Sequence, residues 1–110
     1  MIKMQIKMNE KKIERDGRYN LVNIYGAIDG YLVNRLGLVK RSDGFYLGTN
    51  APEDFGNFGL AMVTLGKKDW FMDNVDTWLY FNSEDSDDPE DYAIEDFKEF
   101  CNRRYQLSAV

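Results

Sequence analysis

Apolar and polar residues alternate at the start of the chain, with Ile2, Met4, Ile6 and Met8 set against Lys3, Gln5 and Lys7. A period of two is that of a half-buried strand, here with lysines on its solvent face. Lysines discourage pairing with another chain, so this strand is predicted at an edge of its sheet. Polar residues 9–17 follow and end in the turn signal Asp16-Gly17. The period then changes. Leu21, Ile24, Tyr25, Ile28, Leu32 and Leu36 recur at helical spacing after Asn20, a good N-cap, with Tyr19 placed to staple onto Ile24. Gly37 suits the left-handed residue that closes a helix, with Leu38 folding back on the last turn. The spacing predicts a helix over 21–36.

Residues 38–49 read as a hairpin around Ser42-Asp43-Gly44, with Val39, Phe45 and Leu47 on one face. After a loop at 50–57, the nearly continuous apolar run Phe58 to Leu65 has strand length and is expected as a central strand. Next comes D-W-F-M-D-N-V-D-T-W-L-Y-F-N, which holds both tryptophans. The β-prone run Thr77 to Phe81 predicts a strand over about 76–82, preceded by a turn or short helix. Asp88 as cap, Pro89 at the first helical position and an anionic first turn predict a last helix over 89–105. Its buried stripe would be Ala93, Ile94, Phe97, Phe100, Cys101 and Tyr105. The whole is expected to be a single α+β domain at 1–110. It would have a mostly antiparallel sheet of four to five strands and two main helices, at about 21–36 and 89–105.

Gly26 and Gly30, four apart, each cost about 1 kcal/mol relative to alanine in a helix. The pair makes a shallow groove, explained first by a closely crossing element and alternatively by a partner docking there.

Charge changes the picture more than composition does. Residues 1–50 carry nine Lys and Arg against five Asp and Glu, whereas residues 51–110 carry five against fourteen. From Asp69 to Glu99 there are twelve acids and one lysine, Lys98. Phosphate affinity requires the opposite balance on a contact face, so direct nucleic-acid binding is not expected. No apolar run approaches the ~20 residues that span a bilayer. Residues 1–8 lack the apolar block of a signal peptide, and one cysteine cannot form an internal disulfide. No membrane association and a cytoplasmic location are expected; the oligomeric state is open.

The chain has no histidine, which removes the commonest general base and the usual zinc ligand. Cys101, on an apolar stripe, reads as a buried thiol. Gly26 to Gly30 lacks the Lys-Ser/Thr ending of a phosphate loop, and residues 83–91 lack the alternating carboxylates and glycine of a calcium loop. Neither catalytic residues, metal nor cofactor is predicted. Asp69, Asp73 and Asp76, beside Trp70 and Trp78, are the only carboxylates with the apolar neighbours that a carboxylate-dependent metal hydrolase would need, and that reading is the remote one.

The runs D-W-F-M-D-N (69–74) and S-E-D-S-D-D-P-E-D-Y (83–92) resemble small acidic proteins carried on bacterial phages and conjugative elements. The resemblance brings no catalytic or binding motif. By analogy with acidic inhibitors from such elements, it implies a protein that blocks a nucleic-acid enzyme. The leading expectation is thus a non-enzymatic protein that contacts a basic protein partner through Trp70, Asp73, Asp76, Glu84, Asp85, Asp87, Asp88, Glu90 and Asp91. The alternative is a small structural or accessory domain of a mobile element that self-associates or docks through its aromatic stretch or the Gly26/Gly30 groove.

Overall fold

A computed structural model describes residues 1–108, with side chains through residue 104. Strand β1 (Ile2–Met8) leads into the short helix α1 (Glu10–Asp16), which Asn9 caps by accepting from the Lys12 amide. Helix α2 (Leu21–Asp29) begins where the sequence placed it. The Asn20 side chain accepts from the amides of Val22 and Asn23. From Gly30 to Arg35 the helix widens into a π turn, and it closes on Gly37 at φ 75°. Leu38 folds back as expected, its amide donating to the Leu32 carbonyl at 3.0 Å, and its side chain is buried.

The hairpin follows as β2 (Val39–Lys40), a 3-10 turn (Ser42–Gly44) and β3 (Phe45–Leu47). Helix α3 (Asp54–Gly66), the single turn α4 (Asp69–Met72) and β4 (Val75–Asn82) come next, then β5 (Ala93–Asp96) and α5 (Phe97–Ser108). The sheet order is β2-β3-β1-β4-β5, antiparallel throughout. The connections β1–α1–α2–β2 and β3–α3–α4–β4 each join parallel strands that have one strand between them. That is the split βαβ, ferredoxin-like arrangement, extended by β5 and α5.

Three expectations are corrected. The opening strand is the middle strand, not an edge, because β3 and β4 pair with its two sides. The run 58–65 is helical. Phe58, Ala61 and Leu65 turn to the core at helical spacing, while Leu60 remains 55% exposed and Met62 and Val63 are half-buried. These apolar residues fill the gaps in the stripe and make it read as a buried strand. The last helix begins at Phe97, eight residues later than predicted, because Ala93–Asp96 pairs with Leu79–Asn82. Asp96, not Asp88, caps it, accepting from the Glu99 amide at 3.0 Å. Of the expected stripe, Phe97 and Cys101 are buried, Ala93, Ile94 and Phe100 are exposed, and the Tyr105 side chain lies outside the described residues.

All the helices pack on one face of the sheet. Ile13, Ile24, Ile28, Leu32, Phe58, Ala61, Leu65, Phe71, Phe97 and Cys101 join Ile2, Met4, Ile6, Met8, Tyr46, Val75 and Trp78 in a single core. Trp78 is at its centre, fully buried, with edge-on contacts to Phe71 at 4.9 Å and Phe97 at 5.5 Å. Its indole N–H donates to the Met4 sulfur at 2.8 Å. Among the described residues no helix is long and apolar enough to cross a membrane.

Two turns depend on glycine. A Cβ on Gly44, at φ 79°, would lie 2.3 Å from the Ile6 carbonyl oxygen. One on Gly48 would lie 2.4 Å from the buried Asp54 carboxylate, which accepts from the amides of Thr49 and Asn50. Gly26 is different, for nothing lies within 4 Å of its added Cβ. Urea denaturation should therefore show Gly44→Ala losing more than ~1–2 kcal/mol, the left-handed penalty alone. Gly26→Ala should gain about 0.5–1 kcal/mol from helix propensity. Loss of stability in Gly26→Ala would show that an element does cross there.

Candidate functional site

The predicted partner-binding residues fall into two groups at opposite ends of β4. Seven steps along a strand separate Val75 from Asn82, or about 23 Å at ~3.3 Å per residue. At the near end Trp70 is half-buried in α4, edge-on to Phe71 at 6.0 Å. Asp73 and Asp76 are exposed but not in purely acidic surroundings. Asp73 shares a small cleft with Lys12, Asp16 and Arg18, and Lys12 donates to its backbone carbonyl. Asp76 lies in a wider cleft with Lys7, Glu10, Lys40, Arg41 and Asp43. Cations from the first half of the chain thus surround these two carboxylates, and β4 holds them away from the others.

At the far end, Glu84, Asp85, Asp87, Asp88, Glu90 and Asp91 project from the loop between β4 and β5, and all six are exposed. The loop is folded by its own short side chains. Ser83 is buried and anchored to the Met1 backbone, its amide donating to the Met1 carbonyl at 3.1 Å. Asn82 accepts from the Glu84 amide, Ser86 accepts from the Asp88 amide and donates to Asp91, and Asp88 accepts from the Glu90 amide. These local bonds explain why Asp88-Pro89-Glu90 forms turns rather than a first helical turn. Glu84 pairs with the N-terminal ammonium at 2.7 Å. The loop itself, residues 83–91, contains no lysine or arginine.

Next to this loop lies a surface that sequence reasoning did not assemble. Since the helices cover one face of the sheet, the other is open. Val39, Leu47, Lys3, Phe81 and Ile94 form one cross-strand row over all five strands, and Phe45, Gln5, Leu79 and Asp96 form the next. None of the nine is buried, and Ile94 is 59% exposed. Val39, Phe45 and Leu47 do share a face, as expected, and it is this open one. The available signals were the alternations Phe45-x-Leu47 and Leu79-x-Phe81, but only the pairing register aligns them with Lys3. Tyr92, where the acidic loop ends, sets its ring edge-on to Phe81 at 5.9 Å.

Gly26 and Gly30, one turn apart on the helix, also have no neighbour within 4 Å of an added Cβ. The expected close crossing is absent among the described residues, and the groove they make is unfilled.

No protein-family model matches the chain, nor does any curated protein or solved structure. The site must be judged on its own chemistry. Cys101 is buried, and burial pushes its thiol pKa up, away from thiolate reactivity. Among the described residues no group of three or more His, Cys, Asp or Glu could hold a metal ion, and this includes Asp69, Asp73 and Asp76. Asp29 bridges the two halves of the hairpin to α2: the Tyr46 hydroxyl donates to it at 2.5 Å and Lys40 pairs with it at 2.6 Å. Burial, reinforced by Asp29, raises the Tyr46 pKa strongly, and burial raises those of Tyr25 and Tyr80.

A tyrosine whose folded pKa lies above its unfolded value of about 10 supports the fold below that value and loses that support as pH rises past it. Unfolding free energy should therefore be flat in these groups from pH 7 to 9 and fall above about pH 10. Tyr46→Phe should flatten the alkaline decline. An equally steep decline in Tyr46→Phe, followed by urea titration at each pH, would remove Tyr46 as its source.

Proposed function

We propose that this chain is a non-enzymatic binding protein that contacts a cationic protein partner through its acidic loop and the adjoining open sheet face. The observation that carries the reading is their adjacency. Six carboxylates on a loop without lysine or arginine run straight into Tyr92 and the open-face apolar pair of half-buried Phe81 and exposed Ile94. Carboxylates accelerate encounter with a basic surface, while aromatic and aliphatic side chains supply the contact area that charge lacks. The acidic loop also suits a groove built for nucleic-acid phosphates, so inhibition of a nucleic-acid enzyme is the form this proposal takes. Relative to the sequence expectation, the contact moves from Trp70, Asp73 and Asp76 to the loop and the sheet face.

A second reading has an observation of its own. Phe55, 55% exposed, and Phe100, 45% exposed, flank a cleft between α3 and α5 lined by Phe58, Gly59 and Met62. Apolar side chains in such a position would serve a structural or accessory domain that docks or self-associates through its helical face.

Reversing Asp85, Asp87, Asp88 and Glu90 to lysine separates the two readings. At about 0.5–1 kcal/mol per exposed carboxylate, binding of a lysine decamer should weaken by about 2–4 kcal/mol. The native interaction should itself fall off steeply by ~0.15 M salt. Calorimetry showing undiminished binding in the reversed variant would remove the proposal. Concentration-dependent sedimentation that resists salt and is lost in Phe100→Ser would favour the second reading.

A further inference from the structure

Lys3 sits in the middle of the open face, and aromatic rings hold its side chain. The ammonium lies 4.4 Å from the centroid of Tyr92, 4.9 Å from that of Phe45 and 5.5 Å from that of Phe81. Phe45 and Phe81 are themselves 5.7 Å apart and inclined at 52°, and Phe81 meets Tyr92 at 88°. Three rings therefore wall a box with Phe81 at the back. Among the described residues no carboxylate lies within ion-pair distance of Lys3. Each ring lies within the ~6 Å over which a ring face attracts a cation.

We infer that this box is a receptor for an alkylammonium group, the lysine or methylated lysine side chain of the partner, and that Lys3 is an internal occupant which the partner's side chain replaces. The inference deepens the function proposed above and rests on it for the class of partner. Three features support it. The box already accommodates an ammonium group in this fold, so its size and electrostatics suit the incoming group. The replacement exchanges one cation–π contact for another, leaving Lys3 free to hydrate its charge. The acidic loop reaches the box directly, since Glu90 and Asp91 precede Tyr92 in the chain, and it raises the local concentration of cations at the entrance. While no partner is bound, Lys3 shields the rings from water.

The test uses the full chain with Lys3→Ala and Lys3→Gln, two variants that empty the box, the second keeping a polar side chain on the strand. Tetramethylammonium chloride is titrated at constant ionic strength, and the ring resonances of Phe45, Phe81 and Tyr92 are followed by NMR. Both variants should show saturable shifts on these three rings at about twofold to fivefold lower concentration than the native chain, the range a solvent-accessible cation–π contact spans. Adding Phe81→Leu to Lys3→Gln should abolish them. Ring shifts that do not saturate, or midpoints equal in native and emptied chains, would overturn the proposal. So would saturable ring shifts produced by a single-stranded oligonucleotide and not by tetramethylammonium, because the rings would then be a platform for bases. The acidic-loop reading fails separately. If the four-fold charge reversal leaves lysine-decamer binding intact while the emptied box still responds, the loop is wrong and the box stands; decamer binding lost on reversal with silent rings would refute the box alone.

Discussion

The fold hangs on the burial of one indole. Trp78 projects from β4 into the space between sheet and helices, where it touches α4 through Phe71, α5 through Phe97 and β1 through Met4. Such edge-on aromatic pairs are worth about 0.5–1.5 kcal/mol each beyond the area they bury. The buried N–H would cost more than that if left without an acceptor, and the Met4 sulfur provides one. Because Trp78 must point at the helices, strand alternation forces Thr77, Leu79 and Phe81 to the opposite side. The same rule, carried across the register by Met4, turns Lys3 and Gln5 outward. The open face is thus a consequence of how the core is packed.

Function, on this account, lives on what the core leaves over. Five strands covered by helices on one side present nine open-face positions in two rows, of which six are apolar. An ordinary solvent-facing sheet would carry polar residues at most of them. Lys3 makes the apolar row tolerable in water by placing a charge over three rings. On the proposed reading the acidic loop would make it selective, because approach of another anionic surface is repelled while a basic one is drawn in. The opposite end of β4 differs in charge. There Lys12, Arg18, Lys7 and Lys40 accompany Asp73 and Asp76, and the surface is mixed in sign.

Much of this was legible in the chain. The opening strand, the helix at 21–36 with its Asn20 cap and Gly37 stop, the hairpin on Gly44 and the strand at 76–82 each carry a local signal that tertiary structure did not override. The misread elements are those in which neighbours outvoted local chemistry. Asp88-Pro89 looks like a helix start, yet Ala93–Asp96 gains more by pairing with β4 than by extending a helix. Leu60 and Val63 obscured the helical period of α3 because they are apolar and lie off its core stripe. The acidic loop was visible as a run of residues. The aromatic box was not, since Lys3, Phe45, Phe81 and Tyr92 come from four separate places and meet only through the strand register.

The central claim is that the loop and the open face form one contact surface for a cationic partner. Backbone NMR of the uniformly labelled chain, titrated with a lysine decamer, tests it most directly. Shifts should concentrate in residues 84–92 and along Lys3, Phe45, Phe81 and Ile94, leaving α3 and the surroundings of Asp73 unmoved. Shifts confined to the loop, or centred on Phe55 and Phe100, would contradict it.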